Sequence, residues 1–171
     1  MPQTTTAINT IDGIIELSTD GSTWTNVSGS SNKVEVSPLT IDDGSASSLE
    51  GQYKIVRVGK YNAAEITFTI FYTETASEAY AILYARKNVA GRTLYARWAP
   101  GGYNGDYRFF TADGNGNKSP GRITEFPLPG VNADEAAPAL LKFKLKATNI
   151  EREANQPSPS ASVSPSASAS A

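Results

Sequence analysis

The stretch EITFTIFY at positions 65–72 decides the fold of this chain. Alternate positions in it are apolar: Ile66, Phe68, Ile70 and Tyr72. The positions that precede the first three of these are polar: Glu65, Thr67 and Thr69. Successive side chains of a strand point to opposite faces of a sheet, so a period of two residues is typical of a half-buried antiparallel strand.

A second alternating stretch, LKFKLKA at positions 141–147, lies near the other end of the chain. Its apolar positions are Leu141, Phe143, Leu145 and Ala147, and its charged positions are Lys142, Lys144 and Lys146. Three ammonium groups on one strand face could follow a phosphate backbone. We favour a solvated outer face, or a surface that meets carboxylates, and nucleic-acid binding stays the alternative.

One helix is predicted directly after the first stretch. Thr75 and Glu78 have the spacing of a capping box, and an apolar stripe follows at helical spacing. Arg86 and Lys87 suit the negative end of the helix dipole, and Gly91 can end the helix. The sequence therefore predicts a helix over about 76–89, followed by a strand at 94–98.

The rest of the chain reads as short strands separated by turns. Further strands are predicted at 11–17, 24–27, 33–36, 53–58, 107–111 and 123–126. Asp20 and Gly21 form a strong hairpin signal. This spacing predicts an all-β domain with one flanking α-helix, built as a β-sandwich or barrel over residues 1–153. Residues 154–171 form a tail that is rich in Ser, Pro and Ala and is not expected to fold alone.

The composition excludes several kinds of chemistry. The 171 residues include no Cys and no His, which removes disulfides, thiolate nucleophiles and the commonest ligands of zinc and iron. Asp113, Asn115 and Asn117 resemble the start of a calcium loop, but Lys118 occupies the Gly position and Thr124 the bidentate Glu position. We therefore expect a hairpin turn there, and we expect a protein without cofactor, metal or enzymatic activity.

A polar stretch over 41–52 is long for a connection between strands. Its notable residues are Ile41, Asp42, Asp43, Leu49, Glu50 and Gln52. No neighbouring group would fix the carboxylates at a catalytic separation, so a solvated loop, or one that contacts another subunit, is the expected structure.

Taken in order, these features resemble the tail tube proteins, or major tail proteins, of long-tailed phages with non-contractile tails. The resemblance covers Ile11 to Arg152. It rests on the 41–52 loop, GKYNAAEITFT at 59–69, the helix at 78–87, RTLYARW at 92–98 and FKLKATNI at 143–150.

The resemblance implies a β-sandwich whose hexameric rings join their sheets into an inner barrel and stack into a tube. The 41–52 loop would reach the neighbouring ring, with Leu49 as an apolar anchor and Asp42, Asp43 and Glu50 as charge partners. Expected partners are the protein itself, a tape-measure protein, tail-end proteins, and DNA that passes through the bore without specific binding. Assembly in the host cytoplasm and a final location in the virion tail follow from the same resemblance. No apolar run approaches the roughly 20 residues that span a bilayer, so we expect no membrane insertion by this chain.

A bore rich in cations would retain phosphates, so we expect that Lys142, Lys144 and Lys146 do not line it. Two alternatives stay open. One is the inner tube of a contractile tail or injection machine. The other is a monomeric β-sandwich that binds carbohydrate or protein, which would explain several exposed aromatic residues.

Overall fold

The computed structural model describes residues 10–47, 54–130 and 138–155, and for 43–47 and 54–58 it describes the backbone alone. These residues form antiparallel β-strands and one short α-helix. The strands are β1 (Ile14–Ser18), β2 (Thr25–Asn26), β3 (Ser31–Val36), β4 (Ile41–Ser47), β5 (Lys54–Tyr61), β6 (Ala64–Phe71), β7 (Thr93–Ala99), β8 (Tyr107–Ala112), β9 (Gly121–Glu125), β10 (Leu140–Ala147) and β11 (Asn149–Ala154). The helix is α1 (Ala79–Ala85). The expected all-β class with one helix is confirmed.

The strands form two layers that share β7. The main path runs β11-β8-β7-β9-β10-β6-β3, while β1 pairs with β7 and with β2. Only Thr93 and Leu94 of β7 pair with β9, whereas the later residues of β7 pair with β1 and β8. We call β3, β6, β10 and β9 the β6 layer, and β2, β1, β7, β8 and β11 the β8 layer.

The two alternating stretches form the centre of the β6 layer. In β10 every apolar position from Leu141 to Ala147 is buried, while the lysines between them are exposed or half-buried. Phe143 lies directly opposite Phe68 of β6, and their rings stack with centroids 4.7 Å apart. The amphipathic strands predicted from the sequence are therefore confirmed. Leu17, Leu83 and Trp98 complete the core from the β8 layer and the helix.

The helix is shorter than predicted and begins differently. It starts at Ala79, with Glu78 as its N-cap residue, and no side chain makes a capping hydrogen bond. The Ala79 N–H instead donates to the Ser30 hydroxyl at 3.2 Å. A residue 49 positions away thus satisfies a helix-start amide, and the capping box predicted at Thr75 is wrong. The helix ends at Ala85, before Arg86, and Gly91 lies in a later turn with φ +80°.

Two other boundaries differ from the sequence-based expectation. The predicted loop at 41–52 contains the strand β4 in its first seven residues, and residues 48–53 lie outside the described part. The stretch over 143–150, which the resemblance treats as one closing strand, belongs to two strands, because the chain bends at Thr148. β10 belongs to the β6 layer, whereas β11 pairs with β8, so the bend carries the chain from one layer to the other.

Candidate assembly surfaces

The hairpin of β4 and β5 forms a two-stranded sheet of its own, and we call it the arm. Among the described strands, β4 and β5 pair only with each other, from Ile41 opposite Tyr61 to Ser47 opposite Lys54. A strand of this length spans about 24 Å at about 3.4 Å per residue. An isolated two-stranded hairpin is only marginally stable in water, so the arm is well suited to packing against another molecule.

Close backbone contacts hold the base of the arm. A Cβ atom at Gly59 would lie 1.7 Å from the Asp42 carbonyl oxygen, so this position admits only glycine at the present strand separation. The Asn62 side-chain amide donates to Asp42 Oδ1 at 2.9 Å and to Thr40 Oγ1 at 3.1 Å. Asn62 N–H donates to the Thr40 carbonyl at 2.8 Å. These contacts therefore fix the two strands relative to each other at the base of the arm.

The residues predicted for the stacking loop divide into two groups. Ile41, Asp42 and Asp43 lie in β4, at the base of the arm. Leu49, Glu50 and Gln52 lie outside the described residues.

An apolar surface at the same base was not predicted. Val36, Leu39, Ile41 and Tyr61 are all exposed, Tyr61 by 73%. Val36, Leu39 and Ile41 follow one another at intervals of three and two positions. This spacing is the sequence pattern from which the surface could have been predicted. Exposed apolar residues grouped in this way usually mark an interaction surface.

Two grooves run along β3, where the sandwich opens between its layers. One has a volume of about 500 Å³ and is lined by Val36, Leu39, Phe109 and Ile150, among others. The other has a volume of about 410 Å³, and its apolar lining includes Ile14, Ile15, Val34 and Trp98. Trp98 lines both grooves, so they are separate openings onto the same part of the core.

The outer face of the β6 layer carries a mixed charge pattern. Lys142, Lys144 and Lys146 lie opposite Thr69, Thr67 and Glu65 of β6, respectively. Lys144 Nζ lies 3.2 Å from Glu125 and 3.8 Å from Glu65. These two carboxylates, Glu125 first, hold the pKa of Lys144 above its ordinary value. The carboxylates around Lys144 belong to the same chain, and whether this face is solvated or meets a partner stays a prediction.

The outer face of the β8 layer carries more deeply packed ion pairs. Arg97 binds Glu16 with two nitrogens, one of them at 3.0 Å from Oε1, and the Trp24 ring lies 4.2 Å from the guanidinium carbon. Arg108 Nε lies 2.6 Å from Glu153. All four of these charged side chains are less than one-third exposed. Ordered pairs of this kind stabilise the sheet and leave few charges on this face free for a ligand.

The Asp113 turn forms as predicted. Its carboxylate accepts hydrogen bonds from the Asn117 and Asn115 N–H groups at 2.9 and 2.8 Å. These donors, Asn117 first, hold the pKa of Asp113 below its ordinary value. Across the described ranges, no group of three or more acidic residues is placed to hold a metal ion. Within the same ranges, no helix is long and apolar enough to cross a membrane.

No protein-family model matches the sequence, and no curated protein matches it. The fold does match solved structures. The cap that terminates the tube of the anti-feeding prophage shares 13% identity with this chain, with a TM-score of 0.62 over 90% of this chain and 95% of that one. A chain of the sheath-tube complex of an extracellular contractile injection system shares 11% identity, with a TM-score of 0.60 over 88% and 93%. A chain in the tail of an empty GTA particle, computed with C6 symmetry, shares 14% identity, with a TM-score of 0.57 over 88% and 100%.

These matches cover nearly the whole of each chain on both sides, so they compare complete folds and not a shared motif. The protein therefore has a tail-tube-like fold: a β-sandwich with one helix, of the kind found in tail and injection-system assemblies.

Proposed function

We propose that this protein is a structural subunit that assembles with copies of itself into the tube, or the end of the tube, of a phage-like tail or injection system. The observation that carries the proposal is the end-to-end match of its fold to a tube-terminating cap and to chains of two assembled tail-like structures. The arm and the exposed apolar residues at its base support it, because both are surfaces that an isolated sandwich does not need.

Within that proposal the subunits form hexameric rings, and the rings stack. The C6 symmetry of the GTA tail is consistent with six subunits per ring. An unpaired edge strand such as β3 exposes backbone groups that can pair with other chains, so it favours aggregation of a monomer. Pairing between subunits around a ring would satisfy these groups. The arm reaches the next ring, with Ile41, Asp42, Asp43, Leu49, Glu50 and Gln52 as contact residues.

The assembled tube is a passive conduit without enzymatic activity, located in the virion tail after assembly in the host cytoplasm. It encloses a tape-measure protein, meets tail-end proteins and passes DNA without binding a particular sequence. Lys142, Lys144 and Lys146 lie off the bore, since their face carries an excess of cations that would retain phosphates. The charged residues of that face are Lys33, Arg122, Lys142, Lys144 and Lys146 against Glu35, Glu65 and Glu125.

The position of the lysine face can be tested by labelling, because the wild-type chain has no Cys. We expect Lys142→Cys in assembled tubes to react with a maleimide on a large polymer as fast as Ser22→Cys in an exposed turn does. Protection of position 142 in tubes, with full reactivity in dissociated protein, would instead place this face inside the bore.

The inner tube of a contractile system is the second candidate, and one observation favours it directly. Among the structures with this fold, one is a sheath-tube complex of a contractile injection system. A tube from a non-contractile tail carries no sheath, so a sheath protein that co-purifies with tubes from the native source would decide for the contractile type.

Electron microscopy of negatively stained full-length protein at rising concentration tests the proposed function, with light scattering to give the mass. We expect rings or hollow tubes. A monomer of 18.1 kDa at every concentration would contradict the proposal and favour a monomeric ligand-binding sandwich.

A further inference from the structure

The β6 layer has two lateral edges of different character. β3 pairs only with β6 among the described strands, so its outer edge is open along the strand. At the other side, β7 covers β9 through Gly121 and Arg122, and the Arg92 carbonyl accepts from the Ile123 N–H. From Thr124 onward no described strand pairs with the outer edge of β9, and the Phe126 ring lies beside Tyr84 and Lys87 at the end of the helix. Pro127 and Pro129 have no N–H and limit this open edge to a short stretch.

The directions of these two edges are compatible with each other. β3 is antiparallel to β6, β6 to β10 and β10 to β9, so β3 and β9 run in opposite directions across the layer. If two copies stand side by side in the same orientation, the β9 edge of one meets the β3 edge of the next in antiparallel register. The edge strand of the β8 layer, β11, would meet β3 in parallel, which is the less stable pairing.

Charge selects a register for this contact. In the β6 layer, Glu125 and Glu35 lie at the same level, since both are aligned with the pair Thr67 and Lys144. Without a shift, Glu125 of one copy would face Glu35 of the next, and like charges opposite each other are destabilising. A shift of two residues places Glu125 opposite Lys33. Both side chains are about half exposed, Lys33 by 58% and Glu125 by 54%.

An apolar contact lies next to this charge pair. Leu128 follows Glu125 by three residues and is 66% exposed between two prolines. The 410 Å³ groove opens beside Ser31, Asn32 and Lys33 of β3, and its floor includes Ile14 and Trp98. With Glu125 opposite Lys33, the antiparallel direction carries Leu128 toward the start of β3, where this groove lies.

We propose that the outer edge of β9 in one subunit packs against the free edge of β3 in a second copy of this chain, with Glu125 opposite Lys33 and Leu128 over the groove beside β3. This inference rests on the proposed ring assembly and names its lateral contact. For Lys142, Lys144 and Lys146 to lie off the bore as well, the β6 layer must be the outer layer of the ring and the β8 layer the inner one. The contact joins two different surfaces, so each subunit keeps one free surface of each kind and the contact repeats around a closed ring.

Two charge reversals and their mixture test the proposal. Lys33→Glu and Glu125→Lys are each expected to lower the assembled fraction of full-length protein about tenfold or more in sedimentation, because like charges then meet at every lateral contact. An equimolar mixture is expected to regain assembly. In an alternating ring the introduced lysine meets the introduced glutamate at one contact, and the wild-type pair is present at the next.

Controls separate folding from assembly. Within the described part of the chain, the two substituted residues make exposed ion pairs, with Glu35 and Lys144, so the far-UV circular dichroism of each variant should match wild type. Glu74→Lys, an exposed reversal between β6 and α1, should assemble normally. Leu128→Asp should lower assembly without rescue by either charge variant.

The outcomes distinguish this inference from the function on which it rests. Wild-type protein that forms no rings contradicts the proposed function itself. Wild-type rings together with normal assembly of Lys33→Glu and Glu125→Lys, or a mixture that fails to recover, would overturn the lateral contact alone. Recovery specific to the mixture supports it, because a folding defect in each variant could not be corrected by the other.

Discussion

The two central strands of the sandwich and the two strands of the arm have nearly equal lengths, yet they differ in what surrounds them. β6 and β10 have eight residues each, and β5 and β4 have eight and seven. In the sandwich, alternate side chains are buried against a second layer. β4 has the sequence IDDGSAS, whose only large apolar residue is Ile41. Strand pairing alone therefore does not explain the stability of the sandwich. Burial of apolar side chains does, and the buried side chains that the structure describes all lie outside the arm.

The largest effect is expected from removing a central ring of the core. Phe143 is fully buried and stacks on Phe68, so Phe143→Ala leaves a cavity and should lower the free energy of unfolding by about 3–5 kcal/mol. Urea unfolding followed by circular dichroism measures this. Lys142→Ala, next to it on the exposed face, should change the same quantity by less than about 0.5 kcal/mol. Similar effects of the two variants would show that the buried face of β10 contributes no more to stability than its exposed face.

A smaller effect is expected at the ion pair on the β8 layer. Glu16 and Arg97 are only 17% and 13% exposed, and Glu16→Gln leaves the guanidinium without its anion. We expect a loss of about 1–3 kcal/mol in the free energy of unfolding. The matched exposed pair is Lys33 and Glu35, where Glu35→Gln should cost less than about 1 kcal/mol. Equal losses of unfolding free energy at the two pairs would show that the burial of Glu16 and Arg97 does not strengthen their ion pair.

A still smaller, pH-dependent effect is expected at the turn between β1 and β2. The Thr23 and Ser22 N–H groups and the Ser18 hydroxyl donate to Asp20 and hold its pKa well below the ordinary value. A lowered folded-state pKa contributes stability above the unfolded-state pKa of about 4, and this contribution is lost as the pH falls below it. Asp20→Ala should therefore lower the Tm at pH 6, by less than Glu16→Gln does.

The same variant should approach the wild-type Tm as the pH is lowered from 4 to 2, since protonation removes the contribution of Asp20 in the wild type. Thermal melts at several pH values measure the difference. A Tm difference that stays constant down to pH 2 would contradict the carboxylate's role and leave only the loss of side-chain packing.

The sequence predicted those parts of the fold whose cause is local. Alternation in β6 and β10 reports burial directly, and Asp20 makes its turn with hydrogen bonds inside a few residues. The helix start depends on Ser30, which is far away in sequence, so a local capping pattern misplaced it. β4 has no apolar alternation, and its strand structure depends on pairing with β5.

The candidate assembly surfaces were predictable only in part, for a related reason. Ile41, Asp42 and Asp43 were singled out because a long polar stretch is poor core material, and they do lie at the base of the arm. Lys33, Glu125 and Leu128 gave no such signal. Their relation arises from strand order and register, which bring residues more than ninety positions apart to the two lateral edges of one layer.

The smallest effect on the sandwich, and a large one on assembly, is expected from Gly59→Ala. The added methyl group would meet the Asp42 carbonyl oxygen at 1.7 Å, so the two strands of the arm must separate or shift. The arm is a separate two-stranded sheet, and the core residues that the structure describes lie outside it, so the unfolding midpoint in urea should hardly change. Ring stacking should fall sharply, because the arm no longer presents its contact residues in one geometry.

Gly114→Ala is the matched control for that variant, since a Cβ at Gly114 meets nothing within 4 Å. Tube length by electron microscopy, with the unfolding midpoint measured on the same preparations, separates the two properties. A Gly59→Ala protein that forms tubes of normal length would show that the arm tolerates a displaced base and that stacking depends on other surfaces. Loss of tubes together with a wild-type midpoint would establish that the sandwich folds independently of the arm, and that the arm serves contacts between molecules.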